Sequence, residues 1–149
     1  MPIGAAISSK DIFTSILKNP ALGHITTFGG HPVSCAAAKA TLTYILQENL
    51  PGKVLAKEQK IHELLKHSII KEIRSSGLMM AVELTKRKYL KHVVSKSMEL
   101  GLIVDWFLFN DRSFRLAPPL IITMNQIQET CDILLQAMDY AEEKYNRKK

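Results

Sequence analysis

A chain of 149 residues is the size of one ordinary domain and buries roughly 68–70% of its unfolded surface, enough for a real core. Its net charge of +6 raises nucleic acid and acidic membranes as partners, but the lysines are scattered along helical faces and interleaved with glutamates. The one basic run, residues 146–149, reads as a solvated end, so no nucleic acid and no membrane partner is expected. No apolar run reaches ~18 residues, and the first fifteen residues lack the charged start and apolar core of a signal peptide. Cys35 and Cys131 sit in apolar helical patterns and read as buried thiols of a reducing compartment, with cytoplasm the default. No metal site is expected: His24, His62, His67 and His92 have no partner at ligand spacing.

Residues 2–7 are short and apolar, a candidate strand. Ser8, Ser9 and Asp11 then start a helix that covers residues 12–18, and Asn19-Pro20 stops it. Residues 24–38, His-Ile-Thr-Thr-Phe-Gly-Gly-His-Pro-Val-Ser-Cys-Ala-Ala-Ala, run from a polar glycine-bearing loop into a small-residue helix. Thr26 and Thr27 offer hydroxyls, Gly29 and Gly30 allow close backbone approach, and Pro32 presets the first helical turn, whose unpaired N–H groups favour an anion. By residue type alone, a ligand-free loop and helix start is the commoner outcome. The helix over residues 32–47 is almost free of charge on every side, the pattern of a helix buried in a larger body.

After the break at Asn49-Leu50-Pro51-Gly52, residues 53–67 resume a helical stripe of Val54, Ile61, Leu64 and Leu65, with Lys57, Lys60, Glu63 and Lys66 off it. Residues 71–74 and 78–84 form a hairpin around Ser75-Ser76-Gly77, with Leu78, Met80, Val82 and Leu84 on its buried face. A helix over residues 87–100 is capped by Gly101, and residues 102–104 continue as a strand. Phe107-Leu108-Phe109 and residues 114–116 flank a turn at Asn110-Asp111-Arg112-Ser113. The last helix opens with a capping box, Thr123 to Gln126, and repeats Ile127, Cys131, Leu134, Met138, Ala141 and Tyr145 at spacings of four and three. Met79, Met80, Met98 and Met138 fall in core patterns, and Trp106 in a packing or interface position. The sum is an α+β chain, an antiparallel sheet covered by helices.

Four segments together carry a family resemblance. Thr-Phe-Gly-Gly-x-Pro at residues 27–32, leading into a small-residue helix, resembles the class III aminotransferases, pyridoxal-phosphate enzymes of fold type I. Arg115-Leu116-Ala117-Pro118-Pro119-Leu120 is similar to that family's Arg-x-x-Pro-Pro-Leu. Arg74-Ser75-Ser76-Gly77-Leu78-Met79 resembles its Arg-Gly-x-Gly-Leu-Met, with a serine where a glycine is usual. Met1-Pro2-Ile3-Gly4 looks like the end of the segment in which the cofactor-bearing lysine stands shortly before the methionine.

The resemblance implies residues 1–31 as the tail end of the large cofactor-binding domain, 32–50 as the long interdomain helix, and 51–149 as the small C-terminal domain. It further implies that Thr27, with Thr26 secondary, contacts the phosphate of a pyridoxal 5'-phosphate held by the other subunit of a homodimer, and that Arg115 binds the substrate's carboxylate. A guanidinium suits that role because its planar fork pairs with both carboxylate oxygens. His31 stands where the family more often has asparagine, so hydrogen bonding at the helix start is its expected role. The branch is closest to ornithine and acetylornithine aminotransferases, with an amino acid or amine donor and a 2-oxo acid acceptor. Without the lysine no catalytic residue is assigned, and the 149 residues alone are expected neither to bind the cofactor nor to turn over. The competing expectation is a non-catalytic α+β interaction module with a basic surface.

Overall fold

The computed structural model describes residues 1–18, 23, 25–107 and 110–146. The chain separates into two compact units, Met1–Asn49 and Leu50–Lys149.

In the first unit, residues 1–9 carry no regular structure, contrary to the strand expected at residues 2–7. A strand needs a neighbour for its backbone hydrogen bonds, and none of the described residues of this unit forms one. Helix α1, Lys10–Lys18, begins where Ser9 Oγ accepts from the Ile12 N–H at 3.4 Å. The stop expected at Asn19-Pro20 lies outside the described residues. Helix α2, Pro32–Gln47, has Pro32 in its first turn and His31 as N-cap. It is followed by Asn49 at φ +46, a left-handed conformation that asparagine tolerates.

Helix α2 buries none of its residues in this chain; Leu42 is 58% exposed and Cys35 is exposed as well. The exposure of Cys35 corrects the buried thiol expected from its apolar pattern. An all-round apolar pattern specifies a helix that wants cover, and the pattern itself does not supply the cover.

Among its described residues, the second unit forms a four-stranded antiparallel sheet with three helices. Helix α3, Leu50–Leu64, takes Pro51 into its first turn, so it starts three residues before the expected Lys53. Strands β1, Ile70–Ser76, and β2, Met79–Leu84, form the expected hairpin. Gly77 takes φ +61 in its two-residue turn, the left-handed value that primed hairpin turns require. A Cβ there would also meet Val54 Cγ1 at 2.6 Å. Helix α4, Arg87–Glu99, is followed by β3, Asp105–Phe107, and β4, Asn110–Leu116; helix α5, Met124–Asn146, completes the unit. The sheet order is β1-β2-β4-β3.

Residues 102–104 are not the expected strand, and Asn110 to Ser113 are not a turn but part of β4. Of the segment read as flanking that turn, Leu108 and Phe109 lie outside the described residues. The capping box at α5 is formed as expected: Thr123 Oγ1 accepts from Gln126 N–H at 3.2 Å, and Gln126 Oε1 accepts from Thr123 N–H at 3.0 Å.

Cross-strand partners share a face of a sheet. Met80 pairs with Leu116 and Val82 with Phe114, and all four are buried in a core completed by Ile61, Leu65, Val93, Ile127, Cys131, Leu134 and Met138. Met79 and Met98, read as core, are exposed, because Met79 alternates onto the other face of β2 and Met98 leaves the buried stripe of α4.

The basic charge is spread along helices. Lys86 Nζ lies 4.4 Å from the Tyr145 ring centroid and Lys144 Nζ 5.1 Å from that of Tyr140. No helix among the described residues is long and apolar enough to cross a membrane.

Burial separates the two thiols. It pushes the Cys131 thiol up to about 11, so that it stays protonated at neutral pH, while Cys35 is open to solvent. A thiol reagent is therefore expected to modify Cys35 rapidly in the native chain and Cys131 only after unfolding. Mass spectrometry of the native adduct checks this, and fast labelling of Cys131 would contradict it.

Candidate functional site

Two places in the fold hold the residues singled out by sequence, one in each unit. In the first unit, Thr26 to Gly29 form a turn closed by Gly29 N–H donating to the Thr26 carbonyl at 3.1 Å. The next turn is closed by His31 N–H on the Phe28 carbonyl at 3.2 Å, and Gly30 takes φ +72 within it. The His31 Nδ1 accepts from Val33 N–H at 3.3 Å, the helix-start bond expected for it. These two turns border a cavity of about 470 Å³ lined by Pro2, Gly4, Thr26, Thr27, Gly30 and Ser34 among others.

A side chain at position 29 would fill part of this cradle, since a Cβ there would stand 2.6 Å from Thr26 Oγ1. The lining carries the neutral hydroxyls of Thr26, Thr27 and Ser34 beside the positive end of a sixteen-residue helix, which suits the phosphate of a cofactor. Among the described residues, no group of His, Cys, Asp and Glu could hold a metal ion.

In the second unit, the outward face of the sheet is charged. The register sets Arg74, Ala81, Arg115 and Asp105 in one row, and Glu72, Glu83 and Ser113 in the next. Arg115 Nη2 donates to Asp105 Oδ2 at 2.7 Å, and Asp105 Oδ1 accepts from Trp106 N–H at 2.9 Å. The Arg115 and Asp105 side chains are 49% and 52% exposed.

Glu83 is only 5% exposed, yet charged. Lys71 Nζ reaches its Oε1 at 2.8 Å and Arg74 Nη1 its Oε2 at 2.8 Å, and these two hydrogen bonds lower its pKa from 4.5 to about 2 against the opposing effect of burial. A carboxylate depressed in this way contributes stability that is fully present above pH 4.5 and lost as the pH falls through about 2. Glu83→Gln is expected to remove that part of the acid dependence, read as a flatter plot of denaturation midpoint against pH below 4.5. An unchanged slope in the variant would contradict the assignment.

The sequence alone pairs neither Glu83 nor Asp105 with a partner. Only the register identifies those partners, although the alternation along β2 already turned Glu83 away from the core. It also set Lys57 off the apolar stripe; the structure buries Lys57 and directs its Nζ onto the Leu120 carbonyl at 2.6 Å, at the end of the Arg115 to Leu120 motif.

Comparison with known proteins decides the family. The profile of class-III aminotransferases matches residues 1–138. The chain belongs to the class-III aminotransferase family. Among solved structures, the ornithine aminotransferase from Toxoplasma gondii is 31% identical, with 91% of this chain and 32% of that one covered at a TM-score of 0.75. An aminotransferase from Bacillus anthracis is 31% identical over 78% of this chain and 30% of its own, at a TM-score of 0.67. The adenosylmethionine-8-amino-7-oxononanoate aminotransferase from Methanocaldococcus jannaschii is 28% identical over 79% and 30%, at 0.69.

The chain thus spans about a third of the length of the structures it matches. Its four-stranded antiparallel sheet and helices correspond to the small domain of a fold type I pyridoxal-phosphate aminotransferase. Thr26 and Thr27 lie in one compact unit and Arg115 in the other.

Proposed function

We propose that the chain is the C-terminal part of a pyridoxal-phosphate-dependent transaminase that moves an amino group, of the ornithine or acetylornithine type, to 2-oxoglutarate in the cytoplasm. The observation that carries the reading is the cavity edged by Thr26, Thr27 and the two glycine turns, in a chain that belongs to a transaminase family. Residues 1–31 would end the large domain, 32–50 join the domains, and 51–149 form the small domain.

The chemistry that the cofactor supplies when bound is stabilisation of negative charge at the substrate carbon. The work of this chain is binding and orientation. Thr27, seconded by Thr26, donates hydroxyl hydrogen bonds to the cofactor phosphate of the other subunit in a homodimer, and the start of α2 adds its dipole. Arg115 holds the substrate carboxylate. The resemblance to ornithine aminotransferase, in sequence and in the solved Toxoplasma structure, supports the choice of donor branch.

On this reading, the 149 residues alone neither bind the cofactor productively nor turn over, because the lysine-bearing segment is not among them. Two measurements test it. The isolated chain, incubated with pyridoxal 5'-phosphate, ornithine and 2-oxoglutarate and then reduced with borohydride, is expected to show no turnover; turnover with a pyridoxyl-lysine adduct overturns the inactivity. With a class-III large domain joined ahead of Met1, activity is expected to appear, and Thr27→Val to weaken cofactor retention about ten-fold, the worth of one hydrogen bond to a charged group. Unchanged retention in that variant removes Thr27 from the phosphate site.

A further inference from the structure

Helix α4 carries two rows of side chains spaced four residues apart, an apolar row of Leu90, Val94 and Met98 and a polar row of Arg87, Lys91 and Ser95. Residues at that spacing stand one turn above each other, so the two rows run side by side along roughly 12 Å of helix. Trp106 and Phe107 of β3 face them across an open cavity of about 670 Å³. Successive strand residues ordinarily point to opposite faces, and the register shift between Trp106 and Phe107 is what lets both line the same cavity. Trp106 pairs with Phe114, so the groove lies on the core side of the sheet, opposite to the face that carries Arg115.

This groove leaves apolar surface wet: Met98 and Trp106 are each 57% exposed. Its charges do not cancel. At one end Arg87 Nε is paired with Asp111 Oδ2 at 3.2 Å, whereas the Lys91 ammonium and the Ser95 hydroxyl are neither hydrogen-bonded nor ion-paired to any described residue. One uncompensated cation and one neutral donor therefore border an apolar floor. Size decides the class of occupant. Nine described residues line the cavity, against about 20–30 on each side of a stable protein interface, and its volume is that of a small-molecule site. A single negative charge matches Lys91, and an ammonium with a hydroxyl beside it suits the two oxygens of a carboxylate. The apolar row extends along the helix rather than across it, which fits a chain better than a ring system. We propose that the groove binds a medium-chain aliphatic carboxylate, its head on Lys91 and Ser95 and its tail along Leu90, Val94 and Met98 beside the Trp106 ring.

Trp106 is the only tryptophan of the chain, so its fluorescence reports on the groove directly. Octanoate titrated into the 149-residue chain is expected to shift the emission saturably to the blue, with a Kd of about 1 mM for a ligand of its size in an open site. Butanoate, four methylenes shorter, is expected to bind about ten-fold more weakly, the effect of losing half-buried methylenes. Octylammonium has the same tail and the opposite charge; it is expected to bind about five-fold more weakly than octanoate, and Lys91→Glu to invert that order. Damage to the fold would weaken both ligands together and would not invert them. A change that never saturates, butanoate binding as tightly as octanoate, or an order of head groups unmoved by Lys91→Glu overturns the proposal. An emission already blue before any ligand is added overturns it as well, since the groove is then closed by the chain itself or by a second copy. No response to octanoate alongside a blue shift with an acidic amphipathic peptide gives the groove to a protein partner instead.

Discussion

Replacing Phe114 by alanine is expected to lower the unfolding free energy of the chain by about 3–5 kcal/mol. Among the described residues, Phe114 is the largest fully buried side chain, at 0% exposure, and β4 places it between Val82 of β2 and Trp106 of β3. Its removal takes the transfer free energy of an aromatic ring and adds a cavity that a sheet hydrogen-bonded on both sides of β4 cannot collapse to fill. A urea melt followed by circular dichroism measures the effect as a lower midpoint with an unchanged slope. A loss under about 1 kcal/mol would mean that this strand is not at the centre of the core.

Replacing the next residue has the opposite profile. Arg115→Met is expected to change stability by at most about 1 kcal/mol, because its ion pair with Asp105 is half exposed and such pairs contribute little. In an enzyme completed by a class-III large domain, the same change is expected to reduce kcat/KM for the carboxylate substrate by about two to three orders of magnitude, the cost of about 3–4 kcal/mol when a charged partner is removed from a bound carboxylate. Arg115→Lys is expected to recover only part of the loss, since an ammonium is a point charge and cannot pair with both oxygens in one plane. Steady-state kinetics on the three proteins, with their melts alongside, separate binding from folding. If kcat/KM in Arg115→Met stays within about three-fold of the parent, the carboxylate has another receptor.

The elements that could be read from the chain alone were those whose signals are local. Helix α5 announces itself through Thr123 and Gln126 and through a stripe repeating every three or four residues. Strand β2 shows in the alternation of Met80, Val82 and Leu84. The failures share one cause. Asn110 to Ser113 have the composition of a turn, but Asn110 pairs with Phe107 and Ser113 with Glu83, and these partnerships recruit turn-forming residues into β4. Residues 102–104 lost their strand to Asp105–Phe107 for the same reason, since β4 determines where its neighbour pairs. Lys57 looks like a solvated lysine on its own helix; the carbonyl that buries it belongs to Leu120, 63 residues away in sequence.

The candidate site divides along the same line. Thr26, Thr27, Gly29, Gly30 and Pro32 lie within seven residues, so their turns and the start of α2 follow from local backbone chemistry, whereas the cavity beside them also needs Pro2, Ile3 and Gly4, which only the tertiary structure brings there. For Arg115, only the resemblance of its motif implied a carboxylate partner. That it already faces a carboxylate at 2.7 Å was decided by the β3–β4 register alone, because a cross-strand neighbour depends on which residues pair, a quantity that no stretch of sequence encodes by itself.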